Sequence, residues 1–526
     1  MKNHVGSGSA LMEQTLEEKT GNLIDLLGQL LKDKEWQKIL IIGEYLATLD
    51  PEEILAYRAM GIASLELHEL DQSEKYFHQT LEYGDDDPET LLLIARIHSY
   101  RGDLNGEIFW LEKALERDPD NNKAAFFLAI TCMSLGDREK AEELLKGIIA
   151  SHPDHIPSRR ALADMYLSLQ KLDEAEEQLR EAVKVQDDDS QLFADLAYIL
   201  KRRDNFSEAL TLYFHALELS PNNVIRYYDI GDTLLALGET ERAISYLRKA
   251  DQIDPNNSLV CYNLGRAYFD LGRYEQCEAA SKAALQYDPE MLHGRTNLGL
   301  NATSNLGVAY LNLGKLKEAE HCFRKNLLLT APSYFNLGLA LHRQKRYEEA
   351  LQNFLRAVEL VPDEAEFWDL VGNAYLELKQ LDNAQKALEK AIEIDPTYPA
   401  AVYDLGVVFS RIKGQENEAM KMFKQAIILN PDISLPYYAI ACLYSLQSRK
   451  KSALNYLQKA IQRGFNDKEY LDNDKDFDSL RDDEEFQKII QKMAVKHDRG
   501  NRFCAELEIT GNPPLPDKQQ HKRGKK

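Results

Sequence analysis

Apolar and small residues fall in this chain as two helical stripes, and the pair of stripes recurs from one end to the other. Ala365–Tyr398 shows the unit most clearly. Counting Ala365 as position 1, Trp368, Val371, Gly372 and Tyr375 stand at i, i+3, i+4 and i+7, which is one face of a first helix (helix A). Ala384, Leu388 and Ala391, at positions 20, 24 and 27, make the matching stripe of a second helix (helix B). Asp395-Pro396 ends it, because proline lacks an N–H and disfavours helix in the residue before it. The small residue at position 8 predicts a close approach of the two backbones. A glycine inside a lone helix costs about 1 kcal/mol, so packing must return something. One such hairpin cannot bury its own face, and neighbours must stack on it.

Units of this kind start at Ile54, Pro88, Asn122, Ile156, Ser190, Val224, Ser258, Leu300, Ala331, Ala365, Pro399 and Ser434. Position 8 across them is Gly61, Ala95, Ala129, Ala163, Ala197, Gly231, Gly265, Gly307, Gly338, Gly372, Gly406 and Ala441, without an exception to Gly or Ala. Residues 20–53 have the same length but carry Leu27 and Gly43 at positions 8 and 24, which suits an N-terminal cap. Near Gly414 one extra residue lies in the turn between helices. The rhythm breaks where Asn297-Leu298-Gly299 is doubled by Asn305-Leu306-Gly307. Eight residues advance a helix roughly 80° past two whole turns, so both copies cannot face one slot. The expectation is a kink or an elongated first helix there.

The spacing W-x2-V-G-x2-Y, A-x3-L and P of Ala365–Tyr398 resembles the tetratricopeptide (TPR) signature, with Val for Leu and Leu for Phe. The resemblance covers roughly residues 20–463. It implies an all-α, right-handed α-solenoid, a TPR superhelix of about twelve helix-turn-helix repeats with degenerate caps. The expected organisation is a disordered segment 1–19, an N-terminal array 20–291, a C-terminal array 292–463 after the register break, a capping segment 464–495 and a basic flexible tail 496–526. In the cap, Phe477, Leu480, Phe486, Ile489 and Ile490 would cover the open end of the stack.

In the TPR family, helix A positions 2, 5, 6, 9, 12 and 13 line a concave groove. Position 5 here gives Tyr228, Tyr262, Phe335, Tyr403 and Tyr438, interrupted by Ser304 and Asp369. Position 6 gives Asp195, Asp229, Asn263, Asn336 and Asp404, with Asn297 or Asn305 fitting according to which copy of the doubled motif is used. An Asn row resembles the asparagine ladder of the TPR-bearing O-linked N-acetylglucosamine transferases, and implies pairing with the backbone of an extended peptide. The Asp residues depart from it and favour a basic ligand. The rings supply rigid anchors, or else pack on the neighbouring repeat. The Lys/Asn/Asn/Lys/Arg carboxylate clamp of chaperone-binding TPR domains is missing: Arg58 and Arg160 at position 5 are followed at position 9 by Ile62 and Asp164.

Composition narrows the function further. At 526 residues the chain is too long for one ordinary core, which a solenoid does not need. A net charge of −22 disfavours nucleic acid on the body of the protein, although the tail carries eight Lys or Arg against four Asp or Glu. The six cysteines include no CxxC, and Cys132, Cys261 and Cys277 occupy apolar slots, which reads as buried thiols in a reducing compartment. The N-terminus has no apolar leader and no run is long enough to span a membrane, so a cytoplasmic protein is expected. His152 and His155 lie three apart in a loop, too few for a zinc site. No catalytic motif occurs, so neither enzyme activity, a cofactor nor a metal is expected. The function expected is a non-catalytic scaffold that takes a partner's peptide or helix in the groove. The alternatives are an accessory TPR subunit of a glycosyl-transfer, secretion or assembly system, and nucleic-acid association through the tail. Self-association stays open.

Overall fold

A computed structural model describes residues 6–85, 87–288, 297–325 and 330–494. Every regular element among them is helical. The basic tail and Cys504 lie outside the described residues. The chain separates into two compact units, residues 1–239 and 240–526. The boundary falls within the repeat that starts at Val224, and not at the doubled motif. The doubled motif makes no boundary because its helix, Asn297–Asn312, packs against both Tyr274–Tyr287 before it and Leu316–Lys325 after it.

Each unit is a stack of helix hairpins. In the first, the hairpins run from Ile54–Glu66 with Leu70–Glu82 to Ser190–Arg202 with Phe206–Leu219. In the second they run from Ser258–Asp270 with Tyr274–Tyr287 to Ser434–Leu446 with Lys450–Gln462. Most of these helices have 13 or 14 residues, about 20 Å of rise. Side chains cap several starts: Asp87, Asn121, Asp137 and Asn257 accept from the backbone N–H groups of Glu89, Ala124, Lys140 and Val260.

The A–B turn has one recurring requirement. Its position 15 is left-handed in repeat after repeat: Gly102, Gly136, Gly238, Gly272 and Gly314, but also His68, Gln170, Asp204, Lys345, Lys379 and Ser448. In the repeat from Pro399 the left-handed residue is Gly414, one place later, where the extra residue was expected.

Position 8 does what its size suggested. A β-carbon built on Gly61, Gly307, Gly338 or Gly406 would stand 2.6 Å from the ring of Phe77, Phe323, Phe354 or Phe423 respectively. On Gly372 it would stand 2.5 Å from Leu388. Gly307, the second copy of the doubled motif, is therefore the one in the slot, and the elongated helix of 16 residues carries the first copy a little over two turns earlier. There the Gly299 carbonyl accepts from Thr303 Oγ1.

The ends differ from the middle. The first helix runs Gly6–Asp33, so residues 6–19, expected as disordered, are helical; Ala10, Leu11, Met12, Glu13 and Gln14 are all good helix formers. Leu27, Ile39 and Leu46 join it to the hairpin that follows. At the other end Phe477, Leu480, Phe486, Ile489 and Ile490 are buried against Tyr437, Tyr438, Leu454 and Leu457, with Phe477 and Phe486 stacked at 5.5 Å. Cys132, Cys261, Cys277, Cys322 and Cys442 are buried free thiols.

Candidate peptide-binding groove

The packing stripe uses helix A positions 4, 7, 8 and 11, and side chains from positions 2, 5, 6, 9, 12 and 13 meet across successive A helices. In the first unit these contacts are mostly ion pairs. Lys123 reaches Glu89 at 2.8 Å, Arg96 reaches Glu66 at 3.2 Å, and Lys201 pairs with Asp232. Asp195 accepts from Arg160 Nη2 at 2.9 Å and from Gln191 Nε2 at 2.7 Å. Asp229 accepts from Arg226 Nη1 at 2.9 Å, and Arg226 Nη2 donates to Gln191 at 2.6 Å. Burial pushes the Asp229 carboxyl up to about 6 against the pull of Arg226. Two of the three aspartates expected to attract a basic ligand, Asp195 and Asp229, are thus already matched from within the chain. Tyr228 beside them is half-buried. A pocket of about 610 Å³ opens beside Arg160, lined by Phe126, His155, Asp164 and Asp189. His155 Nδ1 lies 2.8 Å from Ser158 Oγ and its ring meets Phe126 edge-on, and burial lowers its affinity for a proton.

The second unit divides the remaining residues into three groups. Tyr262, Asn305 and Asn336 are half-buried, and no hydrogen bond among the described residues engages their side chains. Asn297 is exposed on the first copy of the doubled motif, so Asn305 holds position 6 of the row. Asn263 is 2 % exposed and belongs to the interior. Two of the rings are also interior rather than groove surface. Phe335 packs on Phe367 with centroids 4.9 Å apart, and Tyr438 stacks on Phe465 at 4.3 Å while its hydroxyl donates to Asp474 at 2.6 Å. Tyr403 is half-buried and packs on Phe423.

Asp404 keeps company that sequence reasoning missed. It is buried and accepts from Asn373 Nδ2 at 3.1 Å. Asp369, which breaks the row of rings at position 5, is 1 % exposed, and its Oδ1 has no hydrogen-bond partner. Glu366, at position 2 of the same helix, is half-buried. Burial pushes Asp404 and Glu366 up to about 6. It lifts Asp369 well above the usual carboxylate range, helped by the charges of Asp404 and Glu366. None of the three forms an ion pair among the described residues. Arg411, the cation that pulls on Asp404, donates to the Leu376 carbonyl at 3.3 Å. The signal was present in the sequence as acids at positions 2, 5 and 6 of neighbouring repeats. Arg226 at position 3 gave no such signal.

Among the described residues one group of three possible metal ligands converges within 4.8 Å: Cys442, Asp474 and Asp476. Burial pushes the Cys442 thiol well above its usual value, so the protonated form that donates to Asp474 at 3.7 Å is favoured over a thiolate ligand. No helix among the described residues is long and apolar enough to cross a membrane.

Comparison with known proteins agrees with this architecture. Tetratricopeptide repeat models match residues 160–224, 194–258, 234–294, 300–331, 331–364 and 436–463, and a TPR repeat model matches 372–412. The model for anaphase-promoting complex, cyclosome, subunit 3 matches 100–182. The chain is 28% identical over 158 residues to Protein O-mannosyl-transferase TMTC3 of Homo sapiens, which is 26% of this chain and 17% of that protein. It is 25% identical over 119 residues to Anaphase-promoting complex subunit 3 of Schizosaccharomyces pombe, 23% of this chain and 18% of that one. The chain spans less than a quarter of the length of these curated relatives. Among solved structures, the APC/C hetero-tetramer Cut9-Hcn1 aligns over 89% of this chain and 95% of that one, with 13% identity and a TM-score of 0.38. Helix hairpins with a Gly or Ala at every position 8, matched by repeat models in both units, make this chain a member of the tetratricopeptide repeat family.

Proposed function

We propose that this protein is a non-catalytic, cytoplasmic scaffold that holds an extended or helical segment of a partner protein along its A helices. One observation carries the reading. The side-chain amides of Asn305 and Asn336 sit half-buried on neighbouring A helices of the second unit, and the chain's own hydrogen bonds leave them unused. Each offers both a donor and an acceptor, which is what a peptide backbone needs. Tyr262 beside them adds a ring whose ordering costs little entropy. The interior positions of Asn263, Phe335 and Tyr438 shorten the row proposed as the binding surface in the second unit to Tyr262, Asn305, Asn336 and Tyr403.

A second reading rests on the match of residues 100–182 to an anaphase-promoting complex subunit model. On it the scaffold is one subunit of a larger assembly, and its partner is a fellow subunit. Both readings are tested by crosslinking the full-length protein in its native cell, with and without Tyr262→Ala, Asn305→Ala and Asn336→Ala together. Loss of crosslinks to the A helices, with helical content unchanged, supports the groove. Unchanged crosslinks refute it.

A further inference from the structure

We propose that Glu366, Asp369 and Asp404 form a recess that receives one arginine or lysine side chain of the segment held in the groove. The inference rests on the groove reading and names the chemistry of the partner at one place along it. Three observations lead there. First, Asp369 is 1 % exposed with Oδ1 unbonded, and an ionised carboxylate removed from water without a partner is strongly unfavourable. Second, the first unit meets the same problem with internal cations: Asp195 has Arg160 and Asp229 has Arg226. In the second unit Asp369, Asp404 and Glu366 form no ion pair among the described residues, and Arg411 acts on Asp404 without pairing with it. Third, the acids occupy positions 5, 6 and 2 of A helices Ala365–Glu377 and Pro399–Arg411, where side chains of adjacent repeats meet.

The spacing of the three acids favours a cationic side chain over a metal ion. A bound ion needs its ligand atoms close together, and these three carboxylates are not among groups whose ligand atoms converge within 4.8 Å. An ammonium or guanidinium on a flexible apolar stem carries its charge to a half-buried or buried acid while the stem covers apolar surface. Asn373 is spent on Asp404 and holds that carboxylate in place.

The test uses the full-length protein as bait for a peptide-display library, followed by synthesis of the selected peptides with each arginine replaced by citrulline, its neutral isostere. Selected peptides should share a basic residue at one register. Citrulline there should weaken binding at least ten-fold to the wild type and clearly less to Asp369→Asn. Asp369→Asn should also melt no lower than wild type, because it removes an unmatched buried acid; a lower melting point would mark a structural role and overturn the assignment. Peptides selected without a shared basic residue, or a citrulline penalty undiminished in Asp369→Asn, also overturn the recess while leaving the groove standing. Failure to select any peptide refutes the groove itself, and the recess with it.

Discussion

Substituting Gly338 by alanine tests whether the hairpins are held by close backbone approach. The added β-carbon would lie 2.6 Å from Cε1, 2.7 Å from Cδ1 and 3.2 Å from Cζ of Phe354. Carbon atoms in contact sit about 3.5–4.0 Å apart, so the ring must retreat by about 1 Å. Phe354 is completely buried, and its retreat disturbs the cluster that includes Leu341, Ala350 and Phe367. Overpacking of this kind costs about 1–3 kcal/mol. Alanine returns about 1 kcal/mol of helix propensity over glycine. The single substitution therefore mixes two opposed effects, and a double-mutant cycle separates them. With Phe354→Leu as the second change, Gly338→Ala should become favourable by about 1 kcal/mol, giving a coupling of about 1–3 kcal/mol. Repeat arrays unfold in parts, so the readout is hydrogen exchange of helices Ala331–Arg343 and Tyr347–Leu360 rather than a single melting curve. A coupling below about 0.5 kcal/mol, or an alanine that stabilises with Phe354 in place, would refute the close-approach argument.

Three further outcomes follow from the same structure. Asp404 and Glu366, pushed up to about 6, bind protons more tightly in the folded than in the unfolded chain. Their contribution to stability is therefore largest at low pH and declines as pH rises from about 4 through 6. Exchange protection of Pro399–Arg411, corrected for intrinsic rates, should be greater at pH 5.5 than at pH 7.5 by about 1–3 kcal/mol, and Asp404→Asn should flatten that slope; greater protection at the higher pH would refute it. Lys345 and Lys379 hold left-handed φ of 63° and 60°. Lys345→Gly and Lys379→Gly should each stabilise the adjoining hairpin by about 0.5–1 kcal/mol, since relief of left-handed strain outweighs the added chain entropy, as chemical denaturation would show. Phe486→Ala should cost the C-terminal hairpin about 3–5 kcal/mol, seen as early proteolysis after Gln462, whereas an unchanged cleavage pattern would show that the cap does not protect the stack.

The repeat was legible because one residue type recurs at one place. Position 8 and the proline stops reveal a hairpin period that packing then realises, and even the extra residue near Gly414 appears where the count slips. The binding surface was only partly legible. Position number says which way a side chain starts, not what its neighbour does. Phe335 and Tyr438 share position 5 with Tyr262, yet Phe367 and Phe465 cover them. Asp195 and Asp229 read as open acids because the arginines that match them stand on another repeat or three residues away. Asp369 is the converse, an interruption in a row of rings that becomes a buried carboxylate with one oxygen unbonded. The division at 239/240 has no sequence signal that we can identify.

The pairing of helix partners also limits how such a chain can change over time. Phenylalanine at the B-helix contact occurs opposite glycine at Gly61, Gly307, Gly338 and Gly406, whereas leucine lies opposite alanine in the repeats from Pro88, Asn122 and Ile156. Joining an alanine-bearing A helix to a phenylalanine-bearing B helix of these repeats would press the methyl into the ring, whereas leucine opposite glycine is already accommodated at Gly372 and Leu388. Whole hairpins are self-consistent and can be duplicated, deleted or shuffled as cassettes, so the unit of inheritance here is the matched pair.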